Sequence, residues 1–206
     1  MNKGFSLFEV LVVSSITIFI SVALIQSLSS LSKVNLERIA NGMVADFRLA
    51  QQLTLSSHQF KGSQDPMARI RCGYGVSQNG QGASSYVLYA GAPTIQPDGT
   101  PRTCPVNRNF QPIVPQDTPI YKVTNLDGKI SFSSTPGFKD IFYEPPGPRA
   151  YIDNNASTLV EKITIKRTNT PVSECSASSP NCIFVCVYFW GRIEITKNTT
   201  CPAISM

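Results

Sequence analysis

The chain has 206 residues, is 42% apolar and carries a formal net charge of +5. One histidine, His58, leaves no Ser-His-Asp or Cys-His set to assemble, and neither a phosphate-binding glycine loop nor an acidic metal cluster is present, so no enzymatic activity, cofactor or metal site is expected. The positive excess within residues 57–206, fourteen Lys and Arg against ten Asp and Glu, is dispersed, as on a solvated face, and makes no case for a nucleic-acid footprint.

In chain order the first element is the plainest. After Met1-Asn2-Lys3-Gly4, the stretch from Phe5 to Ser32 is apolar with a single charge, Glu9. Its 28 residues would reach across a bilayer as a helix at 1.5 Å per residue. A helical pattern then continues, with Leu36, Ile39, Met43, Phe47, Ala50 and Leu53 recurring every three or four residues on one face. Glu37, Arg38, Asp46, Arg48 and Gln51 fall mostly elsewhere on the wheel, and Asn41-Gly42 is a candidate bend. Ser56-Ser57, then Gly62 and Asp65-Pro66, end the helix.

Beyond residue 66 the period changes to two. Strands are predicted at 68–72, 85–89, 129–133, 141–143, 162–166, 182–190 and 192–195. The Gly-, Pro- and Asn-rich stretches 73–82, 91–115, 145–155 and 168–181 read as loops. The expected fold class is therefore α+β: a long N-terminal α-helix, membrane-spanning in its first half, packed on a C-terminal antiparallel β head that forms one unit. The expected organisation is a leader at 1–4, an assembly and transmembrane helix at 5–32, an amphipathic extension at 33–57 and the head at 58–206.

All six cysteines, Cys72, Cys104, Cys175, Cys182, Cys186 and Cys201, lie in the head. An even number confined to one domain reads as disulfides formed in an oxidising compartment. A metal site at Cys175, Cys182 and Cys186 is the rival reading, weakened by the absence of any CxxC. Fifteen connectivities are possible. Proximity favours Cys72 with Cys104 and some pairing within the Cys175–Cys201 group.

Gly4, Phe5 and Glu9, set before and within an apolar helix, resemble the leader of the type IV pilin and pseudopilin family. An ordinary secretory signal would place its cleavage site after the apolar run instead. The resemblance implies cleavage by a prepilin peptidase between Gly4 and Phe5, N-methylation of Phe5, and a bacterial inner-membrane location with the head outside the cytoplasm before assembly. It implies other pilins or pseudopilins and the inner-membrane assembly platform as partners. A carboxylate in an apolar helix needs a counter-charge. Glu9 of one subunit would meet the new amine of another, setting axial register.

Ile141-Phe-Tyr-Glu-Pro-Pro-Gly-Pro-Arg149 and the ending Gly191-Arg192 resemble minor pilins and pseudopilins of the FimT/GspH type. That resemblance implies an initiation or tip subunit of a type IV pilus-like filament. The alternatives are a DNA-uptake pilin or a type II secretion pseudopilin. FimT-like DNA binding uses Gly-Arg-x-Arg; here Glu194 stands in place of the second Arg, leaving Arg192 as the one candidate DNA contact and opposing a phosphate there.

Overall fold

The computed structural model describes residues 7–61, 68–78, 81–95, 99–100, 103–111, 118–134, 137–147 and 149–203. Among the described residues one α-helix, α1 (Leu7–Leu55), precedes eleven strands. These are β1 (Gln59–Phe60), β2 (Arg69–Ile70), β3 (Tyr74–Ser77), β4 (Ser85–Ala90), β5 (Ile120–Asn125), β6 (Ile130–Phe132), β7 (Ile141–Tyr143), β8 (Ala150–Ile152), β9 (Val160–Arg167), β10 (Cys182–Tyr188) and β11 (Ile193–Thr196). All strand pairs are antiparallel.

The expected fold class needs correction at its N-terminal end. The described side chains of α1 beyond Phe8 fall in two stretches, 10–22 and 35–55, and no helix among the described residues is long and apolar enough to cross a membrane. The apolar side chains described in 10–22 account for about 20 Å of helix, against the roughly 30 Å of hydrocarbon a bilayer presents. Among the described side chains, those of the 35–55 stretch pack on the head. There Leu36, Met43, Phe47, Ala50 and Leu53 are buried as the three-and-four spacing requires, joined by Ala40 and Val44. Asn41-Gly42 does not break the helix; α1 runs through it.

The strands of the head fall into more than one sheet. Strands β5-β4-β3-β7-β8 form a five-stranded sheet, β11-β10-β9-β6 a four-stranded sheet, and β1-β2 a small ribbon. Helix α1 touches β3 and β7 of the first sheet and β9, β10 and β11 of the second. One core results: Met43 and Phe47 from the helix, Tyr74, Val76 and Tyr143 from the five-stranded sheet, and Ile163, Ile165 and Val185 from the other belong to a single buried cluster. A sheet hydrophobic on one face must cover it, and here one helix covers two. On the opposite face of the five-stranded sheet, Val87, Tyr89 and Phe142 form a smaller cluster capped by Phe110 from the 103–111 loop.

Strands β3, β5 and β8 were expected to be loop or were not anticipated. Gly75 explains the first. A Cβ there would stand 2.6 Å from the Tyr89 ring and 2.8 Å from the Ile141 carbonyl oxygen, so the glycine lets an aromatic ring lie flat across a central strand. In sequence the same residue reads as a turn.

The cysteines are all paired, as Cys72–Cys104, Cys175–Cys182 and Cys186–Cys201. The first was the pairing favoured by proximity, and the other two lie within the C-terminal group. The rival metal site at Cys175, Cys182 and Cys186 is thereby removed, because every one of those sulfurs is bonded to another.

Candidate assembly surface

The N-terminal stretch of α1 is apolar on every side. Val10, Leu11, Val12 and Val13 are consecutive, so they point around the whole wheel, and all four are exposed. Phe8 and Phe19 stand 76% and 82% exposed, with Ile16, Ile18, Ile20 and Val22 between or beside them. The polar residues of the stretch do little to wet it. Ser14 donates to the Leu11 carbonyl at 3.0 Å, Ser15 to Val12 at 2.8 Å, Thr17 to Val13 at 2.9 Å, and Ser21 to Thr17 at 2.7 Å. Their hydroxyls fold back onto the helix and leave methylene and methyl groups outward. A helix apolar all round is stable when surrounded, and nothing in the described chain surrounds this one. Burying roughly half of each of ten such side chains would contribute on the order of 10 kcal/mol.

Of the residues singled out in sequence, Gly4 and Phe5 lie outside the described residues. Glu9 falls within α1, but its side chain is likewise outside them.

A second apolar feature lies where the helix meets the edge of the four-stranded sheet. Val44, Ala45 and Leu49 of α1 face Ile193 and Ile195 of β11 across a groove, with Arg48 and Gln52 on its rim. Strand β11 is the edge strand of the four-stranded sheet.

The helix is fastened to the head by polar contacts that the sequence pattern did not disclose. Asp46 is 5% exposed, although the wheel appeared to turn it outward. Its Oδ1 accepts from Lys122 Nζ at 2.6 Å, and its Oδ2 from the Tyr86 hydroxyl at 2.9 Å and the Thr124 hydroxyl at 3.0 Å. Burial, and then the Asp46 charge, raise the Tyr86 phenol well above its ordinary value, so it remains a donor at any working pH. The signal was available: Asp46 stands three residues after Met43 and four before Ala50, on the edge of the buried stripe. Nearer the helix end, Gln51 Nε2 donates to the Gly191 carbonyl at 2.6 Å, and the Thr54 hydroxyl accepts from the Tyr74 amide at 3.1 Å.

Arg192 is not an open cation. Its guanidinium is ion-paired with Glu194 and lies 5.9 Å from the centre of the Tyr188 ring. The Tyr188 hydroxyl in turn faces Glu194 Oε2 at 3.2 Å and the Pro202 carbonyl at 3.0 Å, with one proton to share between them. Burial first, and the Glu194 charge second, raise this phenol above its usual value. Tyr188 and Trp190 stack at 5.1 Å, with Phe189 edge-on to the Trp190 ring at 4.7 Å, so the three consecutive aromatics pack against one another.

No protein-family model, curated protein or solved structure matches the chain.

Proposed function

We propose that the chain is a minor pilin or pseudopilin, a subunit that joins a type IV pilus-like filament through its N-terminal helix and displays a disulfide-bonded β head. The observation that carries this reading is the all-round apolar exposure of residues 10–22 beside a fully built head. A stretch so exposed needs partners of its own kind, and similar helices packed side by side are the simplest cover. The leader resemblance at Gly4, Phe5 and Glu9 supplies the second support. On this reading a prepilin peptidase cuts before Phe5, and Glu9 pairs with the amine of a neighbouring subunit at the assembly platform. Register then follows from cost, since any other offset leaves two charges unpaired in an apolar bundle. The three disulfides suit a head folded in an oxidising compartment.

The nucleic-acid alternative has no comparable support. Its one candidate residue, Arg192, already has a carboxylate partner.

The test replaces Phe19 by Asp in the full chain and follows the subunit into sheared filaments. Expected is a head with all three disulfides intact and at least a tenfold loss from the filament fraction. Mass spectrometry of the assembled wild-type subunit should show N-methylated Phe5 as its first residue. Wild-type-like incorporation of Phe19→Asp, or an intact Met1 in filaments, overturns the proposal.

A further inference from the structure

The loop between β8 and β9 carries Asn155-Ala156-Ser157, an Asn-x-Ser sequence that the filament reading does not use. Its setting is a two-residue hairpin turn. Asp153 and Asn154 have φ of 52° and 60°, and the Ile152 and Asn155 backbones exchange hydrogen bonds at 3.1 and 3.0 Å across them. The two adjacent asparagines are used differently. Asn154 is half-buried, and its Oδ1 accepts from the Arg108 amide at 3.1 Å, which ties down the 103–111 loop. Asn155 is exposed, as are Ala156 and Ser157.

The Asn155 side chain is held by one end only. Its Oδ1 accepts from the Ser157 amide at 2.8 Å and from the Ser157 hydroxyl at 2.7 Å. Among the described residues its Nδ2 has no partner, so the amide oxygen faces its own loop and the nitrogen is left to solvent. Two donors on the oxygen draw charge from the nitrogen and ease loss of an Nδ2 proton, the change an amide must undergo to act as a nucleophile.

We propose that Asn155 is an acceptor for an N-linked oligosaccharide delivered from a polyprenyl diphosphate donor by an oligosaccharyltransferase. In the transfer, Nδ2 forms a bond to the anomeric carbon of the first sugar. The bond from that carbon to the diphosphate oxygen breaks, polyprenyl diphosphate leaves with the electron pair, and a base of the transferase takes the Nδ2 proton. No oxidant or reductant is involved. The folded head has room for the product, since residues 155–157 are exposed. The inference needs export to a compartment that holds the donor, for which the disulfides speak, and does not depend on filament assembly.

A second acceptor sequence, the Asn-x-Thr of Asn198-Thr199-Thr200, provides an internal comparison. It is exposed too, but lies inside the loop closed by Cys186–Cys201, with the Thr199 carbonyl held by Lys162 Nζ at 2.9 Å. The hydrogen bonds of Asn198 include its amide to Thr196 Oγ1 at 3.0 Å and, among the described residues, none from Thr200 to its side chain.

The experiment co-expresses the full-length chain with a single-subunit oligosaccharyltransferase and its polyprenyl-diphosphate oligosaccharide pathway, then weighs the intact protein and maps the modified peptide. One oligosaccharide on Asn155 is expected. Asn155→Gln should abolish it, Ser157→Ala should lower occupancy at least tenfold, and Ser157→Thr should restore it. Asn198→Gln should leave it unchanged, with three disulfides retained in every variant. An unmodified wild-type chain, oligosaccharide confined to Asn198, or full occupancy in Ser157→Ala overturns the proposal.

Discussion

Replacing Asp46 by Ala should be among the most damaging single changes in the head. The carboxylate accepts three hydrogen bonds, from Lys122, Tyr86 and Thr124, and it is 5% exposed. Removing it takes the carboxylate acceptor from the Tyr86 hydroxyl, on a residue only 1% exposed. An orphaned buried donor costs about 1–3 kcal/mol, and each lost bond to a charged acceptor is of similar size before compensation. Lys122 contributes less to the loss, because its side chain is 46% exposed and its charge re-enters water. The sum is about 3 kcal/mol, roughly a 1.5 M fall in the urea midpoint for a chain whose slope is about 2 kcal/mol per molar. Equilibrium urea unfolding of Asp46→Ala, Lys122→Met and the double variant gives the answer directly. Lys122→Met alone should cost less than about 1 kcal/mol, and the double variant should cost no more than Asp46→Ala. An Asp46→Ala cost below about 1 kcal/mol, or one smaller than that of Lys122→Met, would refute the view that this carboxylate fastens helix to sheet.

Replacing the disulfides one pair at a time by Ala should destabilise in the order of their separations, 7, 15 and 32 residues, by about 2.4, 3 and 3.7 kcal/mol for Cys175–Cys182, Cys186–Cys201 and Cys72–Cys104. Thermal unfolding under non-reducing conditions would expose a reversed order. Burial raises the Asp140 carboxyl above its ordinary value despite hydrogen bonds from Ser77 and the Phe110 amide. Its contribution to stability is therefore present below the unfolded pKa of 3.8 and is lost as pH rises through the higher folded value. The difference in unfolding free energy between wild type and Asp140→Asn should change in that pH window and be flat above it; a change confined to more acid pH would contradict the sign. Arg192→Ala should shift stability by less than about 0.5 kcal/mol, since the Arg192 side chain is 52% exposed and surface pairs are weak; calorimetry giving more than 1 kcal/mol would point to a larger structural role.

The parts of the fold legible in the sequence are those written in apolar spacing. The buried stripe of α1, the alternation in β9 and the continuous apolar runs of β10 and β7 could be read residue by residue. Strand β5 could not, because two of its inward positions hold Lys122 and Thr124. These look like solvent residues until Asp46, seventy-six positions earlier, is brought against them. Strand β3 was hidden by Gly75, whose missing side chain makes room for Tyr89. The division of the head into two sheets was equally hidden, since it depends on one helix covering both. At the candidate site the exposed apolar run was plain from composition.

The attachment of α1 across both sheets has a mechanical consequence. If the N-terminal stretch is held by neighbouring helices, any tension on the head arrives along the helix axis. The links from Asp46 to Lys122 and from Gln51 to the Gly191 carbonyl, on opposite sheets, would then be loaded together, in shear. Contacts loaded side by side share force, whereas contacts peeled in sequence fail one after another. The head would let go as a single event, with the helix pulled from between two sheets at once.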